Sequence, residues 1–353
     1  MGTVWGVAFN KQAQTYYMTS FANRHSGEGP LGYGGIYILQ SNGGGAYTKA
    51  TGVNLQGVTT SNGTVLDFGT ITRNQISNDD NEIADGANTP SRDLDAYAKV
   101  GNMSYGDTDF YEKEQKLFAV NMFQQSLLEI DATGISGLSG AALGAKVKSY
   151  QISNLANAPS CTGGLLKSWG LKIYKDVGYL GIVCNAATSQ VREDLKGFVM
   201  SFDPKNVAAG LTKVLDVNLN YRNGNEDWKP WSSTWAQTNI PIVADVSTTY
   251  SEPAISDIEF DENGAMILGL MNIQGHKLGH YNYYPVSGNQ DLLRGIAHGD
   301  ILLACYDPAT KKWNLENTVA GCGPNYTLQN NFDNGYIATG RGPALGEFFD
   351  DAS

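Results

Sequence analysis

Three features of this 353-residue sequence predict an all-β fold made of many short strands joined by tight turns. Glycine is frequent, with 42 residues, and tyrosine is frequent too, with 19. Charged residues make up only 17% of the chain, whereas about 25% is usual in globular proteins. Because tyrosine favours strands and glycine favours turns, this composition argues against a helical bundle, a coiled coil or a disordered tail.

A phrase that recurs four times along the chain indicates how the strands are arranged. Each copy ends in a large apolar residue, and a second apolar residue follows seven positions later; the pairs are Phe9 and Tyr16, Phe110 and Leu117, Ile173 and Leu180, and Phe260 and Ile267. Two further strand-like segments follow in every copy. Four antiparallel strands per repeat are typical of a β-propeller blade. A β-sandwich is the competing fold, but it does not explain the repeat.

The repeat predicts four blades within a single domain, 1–353, at approximately residues 4–55, 104–152, 168–219 and 255–319. Compact blades need only about 40–50 residues, so the remaining residues form insertions. We place these at approximately 56–101, 220–252 and 275–299 and expect them to form loops on a propeller face, where ligands usually bind. The blades form either a complete ring or a fragment of a larger one. The segment after residue 340 lacks an apolar closing strand, which favours the fragment.

Charge and cysteine content restrict the class of partner and the compartment. The net charge is −11 and no cluster of lysine or arginine occurs, so we expect no nucleic-acid partner. No apolar run is long enough for a membrane span. Four cysteines occur without a CxxC pair, and the simplest pairing in an oxidising compartment is Cys161 with Cys184 and Cys305 with Cys322. Four buried thiols in a cytosolic protein are the alternative.

Acidic residues on the first strand of two repeats form the candidate metal site. One face of this strand is mostly apolar, and the opposite face carries Asp107, Asp109, Asp257 and Glu259. If these strands are innermost, the carboxylates approach the axis, and clustered carboxylate oxygens suit a hard cation such as calcium. The same arrangement would serve a calcium-dependent propeller hydrolase or lyase. The structural alternative is that the carboxylates cap turns, pair with Lys172 or meet water in the channel.

Aromatic residues in the insertions, together with one histidine, are the candidate ligand-binding residues: Trp228, Trp231, Trp235, Tyr283, Tyr284 and His25. Exposed aromatic rings stack on sugar rings or anchor a protein partner, but such rings equally fill gaps between blades. His25 lies in a glycine-rich loop, where it either binds a ligand or bonds to backbone carbonyls. The spacing of His276 and His280 lacks the glutamate of a zinc-protease motif.

Several phrases along the chain resemble a known family; they are Val4–Phe9, Arg24–Tyr37, Ser168–Tyr174, Gly181–Ser189, Ile255–Asp261 and Gly346–Phe349. In this order they resemble a propeller module of large bacterial cell-surface proteins, often found beside Ig-like domains of the serine-aspartate-repeat (SdrD B-like) type. The resemblance implies an extracellular or cell-surface location and a binding or adhesive role, with no established catalytic residues. In such modules further blades follow the last phrase, which also favours the fragment.

The sequence as a whole favours a non-enzymatic β-propeller of a bacterial surface or secreted protein that binds a protein or glycan ligand at a loop face. The calcium-dependent hydrolase or lyase is the alternative. Calcium is the only cofactor predicted, because neither a P-loop nor a dinucleotide-binding pattern occurs. An incomplete ring would expose an edge blade, so we also expect self-association through that edge.

Overall fold

The computed structural model of the chain describes residues 2–43, 46–49, 51–84, 86, 89–223, 226–235, 240–243, 247–316 and 322. In these residues four antiparallel sheets are arranged as a four-bladed β-propeller, as the repeat predicts. The segment after residue 340 and the phrase Gly346–Phe349 lie outside the described residues.

Blades A and B come from the first two repeats. Blade A contains β1 (Val4–Asn10), β2 (Thr15–Ser20), β3 (Gly35–Ser41) and β4 (Tyr47–Lys49), and a short β5 (Val53–Asn54) also pairs with β3. Helix α1 (Leu94–Lys99) lies in the first insertion. Blade B contains β6 (Tyr105–Tyr111), β7 (Lys116–Asn121), β8 (Ser126–Asp131) and β9 (Val147–Gln151), with helix α2 (Gly140–Gly144) before β9.

Blades C and D come from the last two repeats. Blade C contains β10 (Leu166–Tyr174), β11 (Val177–Cys184), β12 (Lys196–Phe202) and β13 (Thr212–Asn218). The second insertion contains β14 (Arg222–Asn223), β15 (Glu226–Asp227), β16 (Ile240–Val243) and β17 (Ser247–Thr249). Blade D begins with β18 (Pro253–Phe260) and β19 (Met266–Asn272); the third insertion then contributes α3 (Gln274–Leu278), β20 (His280–Tyr283) and β21 (Leu292–Gly295). Strands β22 (Asp300–Asp307) and β23 (Lys312–Leu315) complete the blade.

Smaller elements connect these blades. Strands β16, β17, β21 and β20 form one sheet, so the second and third insertions are joined by strand pairing. Three short 3-10 helices follow strands β9, β11 and β12, at Ile152–Asn154, Arg192–Asp194 and Val207–Ala209.

No helix among the described residues is both long and apolar enough to cross a membrane.

Residues seven positions apart in the repeat do not have the same strand register in every blade. In blades A and B the two apolar residues are direct cross-strand partners, as for Phe9 and Tyr16. In blade C the hairpin turn is only Lys175-Asp176, with both φ angles positive, and Ile173 therefore pairs with Gly178 instead. Thus the offset marks equivalent strands in all four blades, although turn length changes the register.

Three hydrophobic clusters fill three of the spaces between blades. The first joins blades A and B, with Tyr17 stacked on Phe110 at 5.6 Å between ring centroids. The second lies chiefly between blades B and C, and the third joins blades C and D. Glycines allow the inner strands to approach closely, since a Cβ on Gly170 would lie only 2.9 Å from the carbonyl oxygen of Ile255. The core of the molecule is therefore divided among the blade interfaces.

The space between blades D and A differs from the other three, and we call it the D–A seam. Strand β1 packs along β6, β6 along β10 and β10 along β18, but no comparable packing joins β18 to β1 in the described part of the chain. Side chains alternate along a strand, so Phe9 and Tyr16 face away from blade B, and Ile267 and Leu303 face away from blade C. All four are only half-buried. The seam is thus apolar on both sides and unfilled by described residues.

Helix α3 bridges blades D and A at one end of the seam. The His276 ring lies edge-on against Trp5 and Phe21, with centroid distances of 5.4 and 5.1 Å. The backbone N–H of Arg24 also donates a hydrogen bond to the carbonyl of His276. An insertion therefore makes these ring contacts and this hydrogen bond between the two blades.

Both predicted disulfides are present. Cys161 is bonded to Cys184 and Cys305 to Cys322, and the described residues contain no free cysteine. The first bond joins the segment before β10 to the end of β11, and the second joins β22 to the segment after β23. Two disulfides are compatible with an oxidising compartment.

Candidate functional site

The innermost strands surround an axial cavity of about 330 Å³, lined by the four carboxylates that the sequence singled out. Asp107 and Asp109 come from β6, and Asp257 and Glu259 come from β18. They reach the cavity because each lies on the strand face opposite the mostly apolar face of the first strand of its repeat. The structure therefore brings the predicted acidic residues together, with Lys172 of β10 among them.

Asp107 and Asp109 connect blade B to blade C. Each accepts one hydrogen bond from the N–H of the following residue in its own strand. Each also accepts a bond from β10, at 3.1 Å from the Leu171 nitrogen and 2.7 Å from the Ile173 nitrogen. These carboxylates thus satisfy strand N–H groups that face the axis, and both of their oxygens are engaged.

Asp257 and Glu259 occupy the equivalent positions of blade D without such bonds to the next blade. Asp257 accepts a hydrogen bond from the N–H of Ile258 in its own strand, at 2.8 Å. Glu259 forms an ion pair with Lys172 at 2.5 Å, across the interface with blade C. No described hydrogen bond joins either carboxylate to β1, which would be the equivalent neighbour.

Burial of these carboxylic acids and the repulsion between their charges change their pKa values. Burial raises the pKa of Asp107 well above its ordinary value, and the charge of Asp257 adds to the effect. Burial also raises the pKa of Asp109. Burial alone would lower the pKa of Lys172, but its hydrogen bond to Glu259 and the charge of Asp109 outweigh this and raise it. The cavity therefore favours the binding of protons or of a cation.

The fit of the cavity to a metal ion depends on oxygens that already accept hydrogen bonds. Calcium prefers six to eight oxygen ligands, and here it would share the oxygens of Asp107 and Asp109 with backbone N–H groups. Within the described residues no group of three or more histidine, cysteine, aspartate or glutamate side chains is arranged to hold a metal ion. Calcium binding stays a prediction.

The second candidate site is a groove of about 540 Å³, to which all three insertions contribute. We call it the insertion groove. Its wall includes Thr72, Asn81 and Asp95 from the first insertion, Ser233 and Trp235 from the second, and Pro285 from the third. Residues from three separate parts of the sequence thus meet at one place.

The predicted aromatic residues divide between this groove and the core. Trp235 lines the groove, and its ring lies 5.2 Å from Tyr284 and 6.3 Å from Tyr97. Trp228 and Trp231 are 0% and 3% exposed and belong to the hydrophobic clusters between blades. Their rings fill gaps between blades instead of lining a ligand site. A ligand would have to uncover them before stacking on them.

Tyr283 and His25 are not among the residues that line the groove. The guanidinium of Arg92 lies 5.5 Å from the centre of the Tyr283 ring. Both ring nitrogens of His25 are within hydrogen-bonding distance of partners, at 2.9 Å from the Ser91 hydroxyl and 3.2 Å from the Leu278 carbonyl. Burial holds the pKa of His25 well below its ordinary value. In this structure His25 therefore connects the first and third insertions as a neutral side chain.

Arg24, which is buried, and Arg73, which is partly buried, connect segments around the groove, and neither was predicted as a site residue. Arg24 is 1% exposed and donates hydrogen bonds to four backbone carbonyls, including Lys277 at 2.8 Å and Tyr283 at 2.9 Å. Burial lowers its pKa to about 9. Arg73 makes two hydrogen bonds to the carboxylate of Asp93, at 2.9 and 2.6 Å. For Arg24 the only sequence signal was its place in a glycine-rich loop.

A buried ion pair joins the second and third insertions. Lys277 and Glu252 are 1% and 0% exposed at their side chains, and their charged atoms lie 2.6 Å apart. Glu252 also accepts hydrogen bonds from the Ser232 backbone and the Gln274 amide. Because these partners come from both insertions, the pair fixes α3 beside the segment that carries Trp235.

Comparison with known proteins gives only distant likenesses. No protein-family model matches the chain, and no curated protein matches it. A crystal structure of a protein from Lactobacillus plantarum is similar at 9% identity and a TM-score of 0.31, covering 88% of this chain and 82% of that one. A streptogramin B lyase structure is similar at 12% identity and a TM-score of 0.23, covering 75% and 89%. At these values neither likeness bears on function.

Proposed function

We propose that this β-propeller is a non-enzymatic binding module that holds a protein or glycan ligand at the insertion groove. The observation that carries the proposal is the convergence of three insertions on one groove. Insertions that extended as separate loops would not share one groove. Its volume lies within the range of about 300–1,000 Å³ that is usual for ligand sites.

The rigidity of the surrounding structure supports this proposal. Arg24, Arg73 and the pair of Lys277 with Glu252 hold the insertions through buried and partly buried hydrogen bonds. A site that is already ordered loses less conformational entropy when it binds a ligand. The buried polar groups therefore favour binding by keeping the groove ordered before a ligand arrives.

The calcium-dependent hydrolase or lyase is a second candidate, and the four carboxylates lining the axial cavity are the observation that favours it. We rank it lower because Asp107 and Asp109 each use both oxygens to accept backbone N–H groups. A general acid or base needs an oxygen within reach of its substrate. Glu259 is in turn paired with Lys172.

The proposal includes export to the cell surface or the surrounding medium. Export is supported by the two disulfides, which persist mainly in oxidising compartments. It is also supported by the resemblance of the segments from Val4–Phe9 to Gly346–Phe349 to surface-protein modules. Immunogold labelling of intact cells with an antibody against the chain tests it. Surface label is expected, and label confined to the cytoplasm would contradict export.

A binding array tests the proposed function without assuming a ligand class. The full chain is applied to immobilised oligosaccharides and to a random peptide library, next to Trp235→Ala and the control Tyr281→Asn. Tyr281 is 50% exposed in the third insertion but does not line the groove, and asparagine suits its positive φ angle. We expect at least one probe that binds the wild type and Tyr281→Asn but not Trp235→Ala. Equal retention by all three proteins would overturn the proposal.

A further inference from the structure

The insertion groove has apolar side chains next to polar ones. A ligand that fits it needs both an apolar face and hydrogen-bonding groups. Trp235, Leu94 and Pro285 supply apolar surface. Hydroxyl, amide and carboxylate groups beside them come from Thr72, Asn81 and Asp95. Sugars present the same combination, since their C–H faces pack on aromatic rings while their hydroxyls form hydrogen bonds at the edge.

The charge of the groove disfavours an acidic ligand. Neither lysine nor arginine occurs among its described lining residues. Burial alone would raise the pKa of Asp95, but hydrogen bonds from Lys99 and from the Thr72 backbone outweigh it and lower the pKa. Both of these bonds end on the Oδ2 atom, at 2.7 Å from the Lys99 nitrogen and 2.6 Å from the Thr72 nitrogen. Asp95 is therefore ionised at neutral pH, and its carboxylate, which the Thr72 side chain also bonds, can accept a further hydrogen bond from a ligand hydroxyl.

The backbone around the groove disfavours an extended peptide. A peptide that adds to a sheet needs an exposed strand edge, which supplies the main-chain hydrogen bonds. The described lining residues belong to α1, to loops and, at Trp235, to a 3-10 turn, and none belongs to a strand. A helical peptide would need a long apolar groove, but polar residues such as Asn81 and Ser233 interrupt the apolar wall.

We infer that the ligand of the insertion groove is a neutral oligosaccharide, with one sugar ring against Trp235 and its hydroxyls bonded to Asp95 and Asn81. This inference rests on the proposed function and adds the class of ligand to it. Hydrogen bonds from Lys99 and the Thr72 backbone hold the Asp95 carboxylate, and the Asn81 backbone N–H donates to Asp79. Both polar residues are therefore fixed in place, as sugar recognition requires, because each sugar hydroxyl needs a partner at a fixed place.

Calorimetric titration of the full chain tests the inference with named probes. Three neutral hexasaccharides are used, a β-1,4-glucan, an α-1,4-glucan and an N-acetylglucosamine polymer, with a hexamer of galacturonic acid as the acidic counterpart. We expect at least one neutral hexasaccharide to bind and the acidic one to bind more weakly. Trp235→Ala should weaken binding by about tenfold or more, as truncation of a central aromatic contact does. Tyr281→Asn should bind like the wild type.

A second variant covers the case in which Trp235→Ala unfolds. Asn81→Ala removes an amide from the groove wall while leaving the aromatic cluster intact, and it should weaken binding by about three- to tenfold, the usual effect of one lost hydrogen bond. Equal binding of the acidic hexamer would overturn the argument from charge. If no neutral hexasaccharide binds but a library peptide binds through Trp235, the glycan inference fails and the proposed function stands. If nothing depends on Trp235 or Asn81, both fail.

Discussion

The interface between blades B and C and the D–A seam carry the same residue types at equivalent strand positions, yet the two regions are built differently. At the first, Asp107 and Asp109 of blade B accept hydrogen bonds from the backbone of blade C. At the second, Asp257 and Glu259 of blade D bond to their own blade or to Lys172. The neighbouring strand, rather than the acidic residue itself, decides whether a carboxylate joins two blades.

This difference separates two ways of closing the propeller. Blades A to D are joined by apolar clusters and by strand-to-strand packing along the axis. Blades D and A are joined in the described residues through α3, which contacts Trp5 and Arg24. Lys277 of α3 also bonds to Glu252 and to Ser232, which lies close to Trp235 of the groove in the second insertion. Closure of the seam and the shape of the groove should therefore respond to the same substitutions, whereas the B–C interface should respond to others.

The largest expected effect is at the buried ion pair that anchors α3. Glu252→Ala leaves the Lys277 ammonium buried without its carboxylate, which typically costs about 3–5 kcal/mol of unfolding free energy. Urea unfolding measures this loss, with Glu262→Ala as the control because Glu262 is exposed on the β18–β19 turn. A loss below about 1 kcal/mol would show that α3 does not depend on the pair.

The next effect compares the two regions directly. Asp109→Ala leaves the N–H groups of Phe110 and Ile173 without their acceptor and should lower the unfolding free energy by about 1–3 kcal/mol. Asp257→Ala removes a more exposed carboxylate with one such bond and should cost less than about 1 kcal/mol. Urea unfolding of the two variants gives the comparison. Equal losses would mean that the bonds between blades B and C do not stabilise the ring.

The pH dependence of stability sharpens the same comparison. Burial raises the pKa of Asp107 in the folded state, so the unfolded chain loses this proton more readily. The stabilising contribution is complete below the unfolded pKa of about 4 and decreases as the pH rises through the folded pKa. Relative to Asp107→Asn, the wild type should therefore lose unfolding free energy between pH 4 and 7. Urea titrations at several pH values measure the difference, and parallel curves would contradict the assignment.

The smallest effect concerns the ion pair between blades C and D. Lys172→Met should lower the unfolding free energy by about 1 kcal/mol at most, because Lys172 and Glu259 are 25% and 51% exposed. Thermal melting at low and high salt measures it. A loss comparable with that of Asp109→Ala would indicate that the axial carboxylates depend on this lysine.

Local sequence patterns were enough to predict the blades and the axial cavity. The repeat around Phe9, Phe110 and Phe260 identified the inner strands, and alternation along a strand then placed the four carboxylates at the axis. The pairing of the four cysteines also followed from their order. These features depend on residues that lie close together in the sequence or repeat at equivalent positions.

The insertion groove and its supporting arginines could not be predicted in the same way. Arg24 bonds to Lys277, 253 positions away, and no repeat relates the two. Composition alone also did not separate Trp235, which lines the groove, from Trp228, which is buried between blades. The sequence indicated where insertions occur, but contacts among three of them decide which aromatic residue faces a ligand.

The most direct test of the account compares the two cavities in one binding experiment. Wild type, Trp235→Ala and Glu259→Gln are applied to the same array of oligosaccharides and peptides, and retained protein and probe cleavage are both measured with and without calcium. We predict that Trp235→Ala loses binding, that Glu259→Gln binds like the wild type, and that the probes stay intact. Binding or cleavage that requires Glu259 but not Trp235 would place the function in the axial cavity and contradict the account.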